Sequence, residues 1–290
     1  MTPACAPSPF LKWAGGKGKA AAAILAAAPA AMRCYHEPFL GGGAVFFALR
    51  AARYAGPARL ADANGELVEC YTVVRDQPED LVTELRALAG RYLAVDEAAR
   101  RALYYEVRAQ TPVSSVARAA RLIFLNRTCY NGLYRVNAAG RFNVPHGRYA
   151  NPRILDEAGL RAASAALQRT ELACEDFGQA CARARAGDFV YLDPPYQPLS
   201  RTASFTSYTS GSFGPPEQER LRDAFESLAR RGVAALLSNS DHPEVRRLYA
   251  GRGYTVATTP MSRAINSVGS GRSAVDELLI SNLPRHAGGA

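Results

Sequence analysis

The chain has 290 residues, 48% of them hydrophobic and 21% charged, enough to bury one large core or a core with a smaller module. No stretch approaches the roughly 18 unbroken apolar residues of a membrane span, and no basic segment followed by an apolar one opens the chain, so the expectation is a cytoplasmic protein without membrane association. The six cysteines form no C-x-x-C pair and the four histidines lack zinc-ligand spacing beside them, which predicts reduced thiols and no metal, while a net charge of +9 favours a polyanionic partner.

The first motif in chain order is Phe10-Leu11-Lys12-Trp13-Ala14-Gly15-Gly16-Lys17, which holds the only tryptophan. Gly18 stands where a phosphate-binding P-loop needs Ser or Thr, and no glycine lies five residues before Gly16, so that loop is rejected. On its own, a tryptophan beside glycines reads as a packing anchor. The alanine-rich run 20–31, interrupted by Pro29, reads as a core helix. Residues 33–39 read as a strand that ends in the glycine turn Glu37-Pro38-Phe39-Leu40-Gly41-Gly42-Gly43, and 44–53 as the helix that follows. Such a turn brings backbone close to a nucleotide-like ligand. Phe46 stands where a dinucleotide fingerprint would carry Gly or Ala. A second short strand, 59–62, ends on Asp62, 21 residues after Gly41, where an acid hydrogen-bonds a ribose. Turn and acid together point to an adenosine-containing cofactor rather than to a plain tight turn.

From 66 to 127 the pattern is helical, with Leu67, Leu81, Leu85, Leu88, Leu103, Val107, Leu122 and Leu125 as apolar faces. Residues 126–153 are rich in Asn, Gly, Arg and Tyr and read as a loop and hairpin. Eight arginines and no acid occur between 107 and 155. Arginine and asparagine read guanine and adenine edges, arginine neutralises phosphates, and aromatic or leucine side chains wedge between bases. A nucleic-acid contact is therefore expected there in preference to a solvated basic loop. A second acid-free stretch, 245–275, carries five more arginines.

The α/β alternation then resumes, with strands over 170–174 and 189–192, a helix over 216–231 stopped by Gly232, a strand over 233–237, and a closing strand pair over 254–259 and 277–281 across the loop 262–273. An α/β core split by an inserted module fits this order better than two domains in series. Asp193-Pro194-Pro195-Tyr196 follows the strand 189–192, at the carboxyl end where open α/β sheets build their sites. Two prolines remove two N–H donors and leave carbonyls, so the loop is acceptor-rich. A carboxylate and a main-chain carbonyl accepting the two N–H bonds of an aromatic amine such as adenine N6 would localise its lone pair. Tyr196 offers a face for an extruded base, a contact worth about 1–3 kcal/mol. Taken alone, the tetrapeptide also reads as a strand-to-loop turn. The Ser/Thr-rich run 199–213 reads equally as a lid over the target or as a surface loop.

These segments, in this order, resemble the Dam family of DNA adenine-N6 methyltransferases over nearly the whole chain, with Val275-Asp276-Glu277-Leu278-Leu279 as a further matching piece. The resemblance implies a class I methyltransferase fold: an α/β, Rossmann-like, mostly parallel sheet with one antiparallel strand, interrupted by a target-recognition domain. It assigns 1–66 and 154–290 to the catalytic domain and 67–153 to the recognition domain. It implies S-adenosyl-L-methionine as cofactor, with Trp13, Lys17, Phe39, Gly41, Asp62, Asp176, Phe177 and Asp193 at cofactor positions. Asp193, Pro194 and Tyr196 fall on the target-adenine positions. Lys12, Tyr130, Asn131, Leu133, Arg135, Pro145 and Arg148 fall on DNA-contacting positions, with Arg135 resembling the arginine that reads a guanine. Double-stranded DNA is the implied partner, no obligate protein partner is inferred, and GATC is the expected site. The chain departs from the family pattern at Ser240, Cys129 and Val136. The competing expectation is a sequence-specific DNA-binding protein without catalysis, against which the intact tetrapeptide argues. No Pro-Cys pair exists for a cytosine-C5 enzyme.

Overall fold

The structure is a computed structural model that describes residues 5–196, 213–261 and 275–283. In chain order it runs α1 (Ala21–Ala26), β1 (Tyr35–Glu37), α2 (Ala44–Ala51), β2 (Ala58–Asp62), α3 (Gly65–Asp76), α4 (Pro78–Leu93), α5 (Glu97–Ala109) and α6 (Ser115–Thr128). A 3₁₀ turn, Tyr130–Gly132, opens the irregular segment that leads to α7 (Glu157–Leu167). Then come β3 (Thr170–Cys174), α8 (Phe177–Ala182), β4 (Phe189–Leu192), α9 (Pro215–Arg230), β5 (Ala234–Ser240), α10 (Pro243–Tyr249), β6 (Thr255–Met261) and β7 (Val275–Ser281).

Local chemistry sets many of these boundaries. Asn64, Asp96, Ser114, Asp156 and Asp176 each accept a backbone N–H as the N-cap of α3, α5, α6, α7 and α8, which satisfies donors that a helix start leaves open. Pro78 and Pro215 occupy the first helical position of α4 and α9, where no N–H is needed. Gly232, at φ +69°, ends α9 in the left-handed region.

The chain divides into two compact units. One comprises 19–40, 55–63 and 169–290 and contains a seven-stranded sheet of order β3-β2-β1-β4-β5-β7-β6. The pairs β3–β2, β2–β1, β1–β4 and β4–β5 are parallel, and β7 runs antiparallel to both neighbours. The expected mostly parallel sheet with a single antiparallel strand is therefore present. Phe177, Val190, Leu192, Leu221, Phe225 and Leu237 lie in a fully buried cluster that joins α8 and α9 to the sheet. The other unit comprises 1–18, 41–54 and 64–168; in it α6 packs on α3, α4 and α5, and α7 packs on α2, α3 and α4.

Several expectations change in detail. The alanine-rich run forms only the six-residue α1, whose inner face brings Ala21 and Ile24 into the core while Ala22, Ala23 and Ala26 are exposed. The first strand shortens to three residues. The expected hairpin after α6 is held by two isolated antiparallel bridges, Cys129 with His146 and Val136 with Phe142, and not by a regular strand pair. The candidate lid at 199–213 lies outside the described residues up to 212, and the loop 262–273 lies outside them entirely. No described helix is long and apolar enough to cross a membrane.

Candidate functional site

β4 is buried along its whole length between β1 and β5, so the residue that leaves its carboxyl end departs from the middle of the sheet. That residue is half-buried Asp193, followed by buried Pro194, exposed Pro195 and half-buried Tyr196. Beneath them runs a row of buried polar groups. Tyr35 pairs with Phe189 and His36 with Val190, so Glu37 and Tyr191 follow at one level and on one face. The Tyr35 hydroxyl donates to Glu37 Oε2 at 2.8 Å, and the Tyr191 hydroxyl lies 2.8 Å from Ser238 Oγ on β5. Burial, and after it Glu37 for Tyr35 and Asp193 for Tyr191, pushes both phenols well above their usual pKa. Burial, followed by Asp193 and Glu277, does the same to Tyr196. All three rings remain neutral at physiological pH.

The other cofactor candidates of this unit gather at neighbouring strand ends. Leu40 N–H donates to the Ala61 carbonyl at 2.9 Å and Glu175 N–H to the Asp62 carbonyl at 3.3 Å, which ties the ends of β1, β2 and β3 together around half-buried Asp62. The Phe39 and Phe177 rings stack at 5.2 Å. Asp176 accepts from Gly178 N–H at 2.8 Å and from Arg220 at 2.8 Å, and the Arg220 guanidinium lies 4.9 Å from the Phe177 ring. Asp176 and Phe177 thus already cap α8 and fill its core.

In the other unit Trp13 lies against the glycine turn. Gly41 has φ +47°, and a Cβ there would stand 2.8 Å from Trp13 Cδ1, so only glycine lets this backbone meet the indole. Lys17 is 4% exposed and donates to the Gly15 carbonyl at 3.3 Å. Among the described residues no His, Cys, Asp and Glu cluster could hold a metal ion.

The same unit carries the DNA-contact candidates. Asn137 N–H donates to the Arg141 carbonyl at 2.9 Å and Asn143 N–H to the Arg135 carbonyl at 3.0 Å, closing a short hairpin, while the Asn137 side chain accepts from Ala139 and Arg141 N–H, both at 3.0 Å. Tyr130, Asn131, Arg135, Pro145 and Arg148 are exposed and Leu133 is half-buried. Arg135 is oriented by Asn143, with Nε donating to its Oδ1 at 2.7 Å. Lys12 enters from the N-terminal segment: its N–H donates to Asn126 Oδ1 at 2.8 Å, and its ammonium lies 4.7 Å from the Tyr149 ring.

The acid-free arginines do not act alike. Arg118 pairs with Glu69 at 2.5 Å, Arg121 with Glu66 at 3.3 Å and Arg153 with Asp156 at 2.8 Å. Arg108 donates to the Val144 carbonyl at 3.1 Å and Arg127 to the Phe10 carbonyl at 2.7 Å. Of the eight arginines between 107 and 155, all among the described residues, only Arg141 and Arg148 have guanidinium groups that meet no protein partner. Sequence reasoning passed over Tyr149, Asn143 and Tyr134, whose signal, a position inside the Asn/Tyr/Arg-rich run, did not single them out. It quoted Glu277 without giving it a role.

The chain is similar to known proteins along most of its length. The family model described as D12 class N6 adenine-specific DNA methyltransferase matches residues 13–262. The Type II methyltransferase M.MjaIII of Methanocaldococcus jannaschii is 41% identical over 286 residues, covering 94% of this chain and 98% of its own. The Type II methyltransferase M1.LlaDCHI of Lactococcus lactis subsp. cremoris is 38% identical, covering 94% and 95%. The DNA adenine methylase of Escherichia coli is 38% identical, covering 93% of each chain. With the sheet order, the acceptor-rich loop after β4 and these likenesses in agreement, the chain belongs to the D12 class of N6 adenine-specific DNA methyltransferases.

Proposed function

We propose that this enzyme takes its methyl group from S-adenosyl-L-methionine and places it on adenine N6 within GATC in double-stranded DNA. The observation that carries the reading is the loop Asp193-Pro194-Pro195-Tyr196 leaving the buried central strand above neutral Tyr35 and Tyr191. The glycine turn supports the cofactor, because the Gly41 backbone lies where any Cβ would strike Trp13. Trp13, Lys17, Phe39, Gly41, Asp62, Asp176, Phe177 and Asp193 are the residues that would hold it. When bound, S-adenosyl-L-methionine supplies a methyl group already activated on a sulfonium centre.

The target adenine leaves the duplex at a cost of a few kcal/mol, and stacking on Tyr196 offsets part of it. The Asp193 carboxylate and the Pro194 carbonyl accept the two N–H bonds of N6 and localise its lone pair. Fixing that amine in line for attack supplies most of the acceleration. The excess proton leaves afterwards, and no covalent enzyme intermediate forms. Residues 67–153 serve as the recognition domain and 1–66 with 154–290 as the catalytic domain. Lys12, Tyr130, Asn131, Leu133, Pro145 and Arg148 contact the duplex, and Arg135 reads a guanine edge.

Transfer of labelled methyl from S-adenosyl-L-methionine to a GATC duplex, with a duplex of the same composition lacking GATC as control, tests the reading. Label on adenine N6 of the first duplex alone is expected. Label on both removes the GATC assignment, and duplex binding without transfer removes catalysis in favour of a DNA-binding protein.

A further inference from the structure

Trp13 is clasped on two sides by residues of its own unit. On one side is the glycine turn, where a Cβ at Gly41 would stand 2.8 Å from the indole Cδ1 and one at Gly42 3.1 Å from Trp13 Cβ. On the other is Tyr134, whose ring stacks on the indole at 5.1 Å and 25°. Tyr134 lies in the chain between Leu133 and Arg135, two of the proposed DNA contacts. Its hydroxyl donates to Glu66 Oε2 at 2.8 Å, which fixes the ring on α3. Gly132, two residues before Tyr134, is tied to the residue before Trp13: Asn126 accepts from Lys12 N–H at 2.8 Å and donates to the Lys12 carbonyl at 2.8 Å and to the Gly132 carbonyl at 3.1 Å. The Gly41 carbonyl, for its part, accepts from Tyr71 at 3.2 Å.

We infer that Tyr134 is a positioning residue that couples the two substrates: through its stack on Trp13, a nucleoside cofactor seated at the glycine turn and a duplex read by residues 130–149 bind with positive cooperativity. The inference rests on the cofactor and DNA roles proposed above. Its physical basis is shared ordering. A ligand that fixes Gly41 fixes the indole lying on it, and the indole fixes the ring at the base of the reading segment. Whichever ligand binds second then meets a site whose ordering cost has been met. Reciprocity is required, so cofactor strengthens duplex binding by the factor by which duplex strengthens cofactor binding.

Trp13 is the only tryptophan, so its fluorescence reports on this contact directly. The test titrates S-adenosylhomocysteine, which cannot donate a methyl group, by Trp13 emission and by calorimetry, without and with a GATC duplex that the wild-type enzyme methylates. Wild type is expected to bind S-adenosylhomocysteine roughly five-fold tighter or more in the presence of duplex. In Tyr134→Leu each ligand alone is expected to bind within about three-fold of wild type while the coupling falls below about two-fold, and Tyr134→Phe, which keeps the ring, restores it. Tyr134→Met takes the place of the leucine variant if that variant does not fold. Full coupling in Tyr134→Leu, or none in wild type, overturns the inference and leaves the proposed function standing. A wild-type chain that binds duplex but no S-adenosylhomocysteine overturns the cofactor reading and the coupling with it.

Discussion

The loop after β4 and the segment 129–149 obtain their order in opposite ways. Asp193 to Tyr196 continue a strand that is buried throughout and paired on both sides, and the groups under them are buried hydroxyls and carboxylates of neighbouring strands. The reading segment has almost no backbone ladder of its own. Helices lend it side chains: Tyr104 donates to the Val144 carbonyl at 2.8 Å, the Tyr92 hydroxyl lies 2.6 Å from His146 Nε2, and Asn126 holds the Gly132 carbonyl. The proposed chemistry, which needs sub-ångström placement, stands on a sheet, and the proposed readout stands on exchangeable props. The two should therefore fail separately when mutated.

The largest separation is expected from Asp193→Ala, which should lower the methyl-transfer rate by roughly 10³-fold or more while duplex affinity stays within about three-fold. Single-turnover kinetics beside a binding isotherm measures both, and parallel loss would show that the tetrapeptide also organises the DNA surface. Arg135→Ala should leave the maximal rate on GATC nearly intact and cost about 1–3 kcal/mol of discrimination at one base pair. Rates on a panel of singly substituted sites check this; uniform weakening on every site would mark Arg135 as a phosphate contact instead. Tyr104→Phe removes one of the two donors to the Val144 carbonyl, Arg108 being the other, and should cost about 1 kcal/mol of stability. Denaturant unfolding measures it, and an equal loss in the rate on GATC at saturating substrate would tie the prop to chemistry.

The smallest effect concerns pH. Burial, followed by Arg101, lowers the His146 pKa, so the folded protein favours the neutral ring, whose Nε2 lies 2.6 Å from the Tyr92 hydroxyl. A group whose folded pKa is depressed contributes stability that is complete above its unfolded pKa, about 6.5, and is lost as pH falls below it. His36 is lowered as well, by burial opposed by Asp188, and adds in the same direction. The melting temperature should therefore decline below about pH 6.5, and His146→Gln, which keeps an acceptor but does not titrate in this range, should flatten part of the decline. An unchanged slope in that variant would assign the whole effect elsewhere.

Much of the sheet was legible because its strands are short apolar runs closed by turn residues: β3 and β4 begin and end where hydropathy alone puts them. The one antiparallel strand came from the family resemblance, since nothing in 275–281 announces its direction. The buried row under Asp193 was not legible. It depends on β1, β4 and β5 lying side by side, and those strands are far apart in sequence. Which arginines of the arginine-rich segment meet acidic partners was not legible for a related reason. Absence of acids along the chain is not absence in space, because Glu66 and Glu69 of α3 reach Arg121 and Arg118. Trp13 stood between its two readings, packing anchor and ligand contact, and its packing on Gly41 and Tyr134 is what the sequence could not pair.

Strand β3 pairs in parallel with β2, Asp62 opposite Cys174, although the whole of 63–169 intervenes. A crossover between adjacent parallel strands needs only about a dozen residues. Closing so long a connection instead of a minimal one adds about 2 kcal/mol of chain entropy, and that cost falls before the edge pairing returns anything. The helices between them must therefore condense early, shortening the effective tether, for the Asp62 edge to assemble at a useful rate. Folding kinetics of this enzyme should thus be governed by the helices between β2 and β3.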